Sequence, residues 1–352
     1  MNALSIHAGP RALAHLRRNG LQAQDVAVVP AAAGGAKGLI FNSLDQWLFG
    51  SWLPSAPRER TLIGSSIGAW RMAAACQADP VSAFERLGDL YCGQRYSAKP
   101  SQQEIDEVCQ NLLQEFIGGR EDEILSHPHN RLSLLTVRGL RGLAAPAHPR
   151  AELRGFAAAS LLNLASRQRL AHMLERVVVS DRRDGAPWLR EKFDAFTTHF
   201  SHLDRGNLAH ALLASGTLPL IMKPVRDIAG IPEGTYWDGG IIDYNLALPY
   251  SRMASGGTDG SLVLYPQFTE HVVPMVPPAM STMRCVAGAS SPEIERGTRT
   301  LRMLTPAGFP AWPCSCSGAG LGPAAARPWP GRPAPPASAA RLFPDRAVAL
   351  RL

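Results

Sequence analysis

Two short apolar runs, each followed at once by a glycine-rich turn and a segment of helical spacing, limit this chain to few folds. The first is DVAVVPA at 25–31, then Gly34-Gly35-Ala36-Lys37-Gly38, then LIFNSLDQWLF with Leu39, Ile40, Leu44, Trp47 and Leu48 at helical spacing. The second is the strand-like 61–63, the turn 64–68 and the helix-forming AWRMAAACQA. A short apolar run bounded by turn residues reads as a strand buried on both faces. RVVVS at 176–180 and SLVLYPQF at 261–268 read as two more strands. Strands alternating with helices predict an α/β chain with a sheet covered on both faces. Residues 81–175 read as mostly helical, with a basic, proline-containing loop at 138–150.

The organisation expected is an N-terminal extension at 1–24, one large domain at 25–273, and a tail at 274–352. The tail holds 14 of the 29 prolines. It shows neither helical nor strand periodicity, so it reads as a disordered, low-complexity extension or as the product of a shifted reading frame. Its nine arginines, no lysine and three acidic residues carry a net +6 of the chain's +7. The body is therefore close to neutral, with no basic patch of interleaved aromatics, and no nucleic-acid partner is expected for it.

Composition excludes other classes. Hydrophobic residues are 45% and charged residues 18%, as in globular domains and unlike collagen, coiled coils or disordered chains. No run approaches the ~18 apolar residues of a membrane span. The start, MNALSIHAGPRALAHLRRNG, lacks the apolar core of a secretory signal, so a cytoplasmic location is expected, with peripheral membrane contact at most. Trp47, Phe49 and Trp52 are a candidate apolar edge, although core packing is the commoner role of such residues. Cys76, Cys92, Cys109, Cys285, Cys314 and Cys316 read as free thiols of a reducing compartment. The close pairs His127/His129 and His199/His202, and Cys314-Ser-Cys316, lack the neighbours a metal site needs, so no metal and no cofactor are expected.

Three motifs carry chemistry. Gly64-Ser65-Ser66-Ile67-Gly68 fits G-x-S-x-G, which sets a serine on a sharp strand-to-helix turn. Gly64 and Gly68 suit a chain that reverses within one residue, and the helix starting near Ile67 points its positive end at the Ser66 hydroxyl. Gly34-Gly35-Ala36-Lys37-Gly38 can turn backbone N–H groups toward an anion. It matches neither the Walker A nor the dinucleotide-binding pattern, which favours an oxyanion of acyl transfer over a phosphate. Asp238-Gly239-Gly240 offers a carboxylate on a turn, a candidate general base if it reaches Ser66.

In this order and together, AGGAKG at 33–38, GSSIG at 64–68 and DGG at 238–240 resemble the patatin-like phospholipase family over about residues 25–268. The segment ALLASGTLPLIMKPV at 211–225 is similar to the one that precedes the family's aspartate. The resemblance implies a three-layer αβα fold and a serine lipid acyl hydrolase of the phospholipase A or lysophospholipase type, with phospholipids or other acyl esters as substrates. It implies Ser66 as nucleophile, Asp238 as base in a dyad without histidine, and Gly34 and Gly35 as oxyanion donors, with Ala36 a further contributor. Lys37 takes the place of the motif's basic residue, in a loop-supporting role beside Gly38, Gly64, Gly68, Gly239 and Gly240. Ala33 stands where the family's first glycine usually lies. Two alternatives stay open: a Ser-His-Asp hydrolase using His271, and a catalytically silent lipid-binding protein.

Overall fold

The computed structural model describes residues 5–184, 187–253, 261–268 and 347–351. Its strands are β1 (Ser5–Ala8), β2 (Val26–Ala31), β3 (Arg60–Ser65), β4 (Asn130–Gly139), β5 (Leu174–Ser180), β6 (Thr198–His202), β7 (Val225–Arg226), β8 (Thr235–Asp238), β9 (Leu262–Gln267) and β10 (Ala347–Arg351). The α-helices are α1 (Pro10–Asn19), α2 (Asn42–Trp47), α3 (Ile67–Ala74), α4 (Pro80–Gly93), α5 (Gln102–Ile117), α6 (Glu121–Ser126), α7 (Pro149–Ala165), α8 (Leu208–Ser215) and α9 (Gly240–Asp243). Among the described residues the strands form one mixed sheet in the order β1-β10-β9-β2-β3-β4-β5-β6, and β8 pairs with β4 and β7. Its centre, β10-β9-β2-β3-β4, is parallel.

Alternation along the strands assigns the two faces. Val29, Leu62, Leu132, Leu134, Val177 and Leu264 pack on one side with α3, α4, α5 and α8. Val28, Ile63, Leu135, Val178 and Val263 pack on the other with Leu246, Leu248 and Tyr250. Beside them Val137 and Trp237 pack with Phe156 and Ala159 of α7. The expected α/β fold with a mostly parallel sheet between helical layers is therefore the fold observed.

Two expectations need correction. The stretch 81–175 is not mostly helical, because it contains β4, a central strand of ten residues. Its side chains are buried at all but one position, so the polar/apolar alternation that marks a half-exposed strand is missing. The loop expected at 138–150 is shorter, since Arg138 and Gly139 end β4 and Pro149 opens α7. The helix after Gly38 is also irregular: it passes from a 3₁₀ turn through α2 into a π-type turn at Leu48–Trp52.

The sheet also takes in residues on both sides of 25–273. Within 1–24, β1 pairs with β10, and α1 is tied to the start of β2 by a 2.8 Å contact between His15 Nε2 and Asp25 Oδ2. At the other end, residues 347–351 form β10. The rest of the tail, the reading of it as low-complexity or frame-shifted, and its Cys285, Cys314 and Cys316 lie outside the described residues. Phe49 is core, as expected of most aromatics, whereas Trp47 is exposed and stacks on Trp52.

Candidate active site

Ser66 and Asp238 are 172 residues apart in the chain and meet because of β4. On one edge β4 pairs with β3 up to Ser65 opposite Leu135. The next position, Thr136, pairs with Asp238 of β8. The opposite edge of β4 is taken by β5 over Ser133–Gly139, so β3 and β8 lie end to end on the same edge. β8 runs antiparallel to β4, so the C-terminal ends of β3 and β8 face each other. Ser66 Oγ donates a hydrogen bond to Asp238 Oδ2 at 2.6 Å.

Both residues are shielded: Ser66 is 7% exposed and Asp238 5%. Burial pushes the Asp238 carboxyl up to about 7, against the bonds from Ser66 and from the Gly240 N–H, which favour its charged form. The Gly240 amide donates to Asp238 Oδ1 at 2.6 Å. This leaves a carboxylate that is oriented at both oxygens and poorly solvated, which suits a base operating near neutral pH.

Ser66 occupies φ 56°, ψ −131°, a conformation unfavourable to a side-chain-bearing residue. Its strain is sustained by its neighbours. The Ser66 N–H donates to Ser215 Oγ at 3.0 Å, and Ser215 Oγ donates to the Leu135 carbonyl at 2.7 Å. The same turn receives the Asp238 N–H at Thr217 O, 2.8 Å, and the Gly239 N–H at Ser215 O, 3.3 Å. Ser215 and Thr217 thus hold the backbones of both partners. The resemblance over 211–225 covers the whole segment without distinguishing these two residues; the run Ala-Ser-Gly-Thr at 214–217 is the signal that could have found them.

The glycines are there for backbone contact. A Cβ on Gly68 would lie 2.0 Å from the Ala31 carbonyl oxygen, and one on Gly239 2.2 Å from the Leu135 carbonyl oxygen. Gly64 faces the Ala69 amide in the same way. The loop 33–38 is thereby brought to the start of α3: Gly38 lies over Ile67, and Ala33 over Gly240. Gly34 (φ 147°) and Gly35 (φ 56°) adopt positive φ, backbone that favours glycine, at the start of the following 3₁₀ turn. The Ala33 N–H donates to Tyr244 O, and the Lys37 N–H to Gly34 O. Ala36 and the Lys37 side chain are exposed.

Buried charges fix the surrounding layers. Arg71 of α3 grips Asp45 of α2 with two bonds of 2.7 and 2.8 Å. Arg176 of β5 holds Asp243 at the end of α9 at 2.5 and 2.9 Å. Glu152 of α7 accepts from the Leu220 N–H at 2.9 Å and from Trp237 Nε1 at 3.2 Å. One histidine of each close pair has a structural partner. His127 Nδ1 caps the His129 and Asn130 amides, and His199 Nε2 lies 3.0 Å from Glu175. Among the described residues no cluster of three or more His, Cys, Asp and Glu could hold a metal. None of the described helices is long and apolar enough to cross a membrane. His271 lies outside the described residues.

A parallel-centred αβα sheet, with a serine on a strained strand-to-helix turn bonded to a buried carboxylate, defines a class of serine hydrolase architecture. The family model for patatin-like phospholipases matches residues 58–249. The chain belongs to that family, whose members are hydrolases acting on lipid esters. Curated proteins and solved structures gave no match to the chain.

Proposed function

We propose that this protein is a serine lipid acyl hydrolase of the phospholipase A or lysophospholipase type, working through a Ser66–Asp238 dyad. The observation that carries the reading is the 2.6 Å bond between the two buried side chains. Asp238 Oδ2 takes the Ser66 proton as Oγ attacks the acyl carbon of an ester. The oxygen of the tetrahedral intermediate is stabilised by the amides of Gly34 and Gly35, with Ala36 a further donor; Lys37 and Gly38 support that loop. The Ser66 amide already donates to Ser215, which supports a donor set that does not include it. As the intermediate collapses, Asp238 returns the proton to the departing alcohol or lysophospholipid. Water then attacks the acyl-enzyme, giving its proton to Asp238, and the fatty acid leaves as Ser66 recovers its hydrogen. An alcohol in place of water gives acyl transfer by the same steps.

The direct serine–carboxylate bond favours this dyad over a triad through His271, which needs an imidazole between the two groups. It also favours chemistry over silent binding, since a binding role needs no strained serine on a buried base.

Incubation of the full chain with phosphatidylcholine and lysophosphatidylcholine, with released fatty acid followed by mass spectrometry, tests the proposal. Release by wild type and its loss in Ser66→Ala support it. Equal release by both proteins refutes it.

A further inference from the structure

α7 is apolar on two sides. Its inner side carries Phe156, edge-on to Trp237 at 5.2 Å between ring centroids, and Glu152, bonded to the Trp237 indole. Trp237 immediately precedes Asp238, so α7 packs against the strand that carries the candidate base. Its outer side carries Leu153, Leu161 and Leu164, exposed by 54%, 68% and 81%. With Ala157, also exposed, they follow the spacing of one helix face. Soluble helices present charged residues there, and such a stripe marks an interaction surface.

Charge identifies the occupant. Arg150 and Arg154 lie on the same exposed face, and exposed Arg141 and Arg169 flank the helix. The single acidic residue of α7, Glu152, is 4% exposed and turned inward. Arg167 is turned inward as well, toward Asp194 and over the Phe196 ring. The outer face is therefore leucines rimmed by arginines, with no acidic side chain of α7 among them. A second copy would bring the same cations against it, and the tail's net +6 argues equally against residues 274–352 as the cover. We propose that the outer face of α7, with Arg141 and Arg169, is a docking surface for an anionic phospholipid membrane. The leucines enter the acyl boundary and the arginines meet the headgroups.

The choice of a lipid surface rests on the lipid-ester reading of the site, and the test keeps the two apart. Vesicle binding is read by sedimentation with the full-length chain, and hydrolysis is read separately on a short-chain water-soluble ester. Wild type should sediment with phosphatidylcholine–phosphatidylglycerol vesicles, far less with phosphatidylcholine alone, and less as salt rises. Leu161→Ser combined with Leu164→Ser should weaken binding at least about tenfold. Arg150→Gln and Arg154→Gln should each weaken it about fivefold. All should leave soluble-ester hydrolysis unchanged. Leu164→Trp should add blue-shifted emission on anionic vesicles, a readout that stands even where the serine variants fold poorly. The proposal is overturned if wild type ignores anionic vesicles, if the variants bind as well as wild type, or if Leu164→Trp shows no shift. It is overturned too if the variants lose self-association or RNA binding while vesicle binding persists.

Discussion

Ser65 stands opposite Leu135 and Asp238 opposite Thr136, so consecutive residues of β4 hold the ends of the two strands that carry the candidate dyad. The serine–carboxylate distance is therefore set by strand register rather than by a flexible loop. Such a pair is preorganised, which is where most of the advantage of an enzyme site originates.

Removal of either partner should abolish turnover without unfolding the protein. Ser66→Ala and Asp238→Asn should each lower kcat by at least about 10³-fold. Asp238→Asn retains the shape of the side chain but cannot accept the serine proton. Steady-state kinetics on a soluble ester, with circular dichroism as the check on folding, gives the comparison.

The raised Asp238 carboxyl predicts a pH dependence of activity and of stability. As a base it must be ionised, so kcat/KM should rise with pH through about 7 and then level off. Its folded value lies above the ordinary 3.8, so the folded state binds the extra proton between those limits. Stability from this group is therefore lost as pH rises from about 4 to 7, and the deficit is constant above. Relative to Asp238→Asn, wild type should lose roughly a few kcal/mol across that window. Thermal melts of both proteins at pH 5 and pH 8 measure the difference, and a pH-independent gap would contradict it.

Ser215→Ala removes the acceptor of the Ser66 amide and leaves that buried N–H unpaired. A loss of about 1–3 kcal/mol in stability is expected. Because the strained Ser66 backbone then relaxes, kcat should fall more than KM rises. Ser215→Thr, which keeps the hydroxyl, should recover part of kcat. A loss of stability with kcat unchanged would assign Ser215 to packing alone.

Glycine substitutions should separate by what a methyl group meets. Gly68→Ala drives a Cβ to 2.0 Å from the Ala31 carbonyl oxygen, and neither backbone can yield cheaply. It should cost several kcal/mol or prevent folding, on the order of the larger overpacking effects. Gly93→Ala meets nothing within 4 Å at the end of α4 and should be neutral or slightly stabilising. Urea denaturation of the two variants provides the measurement.

The parts of the fold that advertise themselves locally were legible in the sequence. Strands β2, β5 and β9 are short valine- or leucine-rich runs and β3 carries a short Leu-Ile pair, and the glycines at 34–38 and 64–68 mark where β2 and β3 end. The element that organises the site was not legible. RLSLLTV of β4 has leucines at spacings that suit a helix as well as a strand, and burial on both faces removes the alternation that would have decided. β1, β6 and β7 are short, and β6 is only half-buried, so their pairing is a tertiary effect. Ser66 and Asp238 could be paired only through motifs, because no local pattern spans 172 residues. Ser215, Thr217 and Glu152 act through single bonds to backbone or indole groups, and such contacts leave no periodic trace.

The most direct test of the account is covalent labelling of the folded full-length chain with a fluorophosphonate, read as intact mass. An activated serine next to a buried base should take up one label, on Ser66, and uptake should vanish in Ser66→Ala and fall steeply in Asp238→Asn. Wild type that remains unlabelled while folded, or labelling that survives Ser66→Ala, would contradict the dyad.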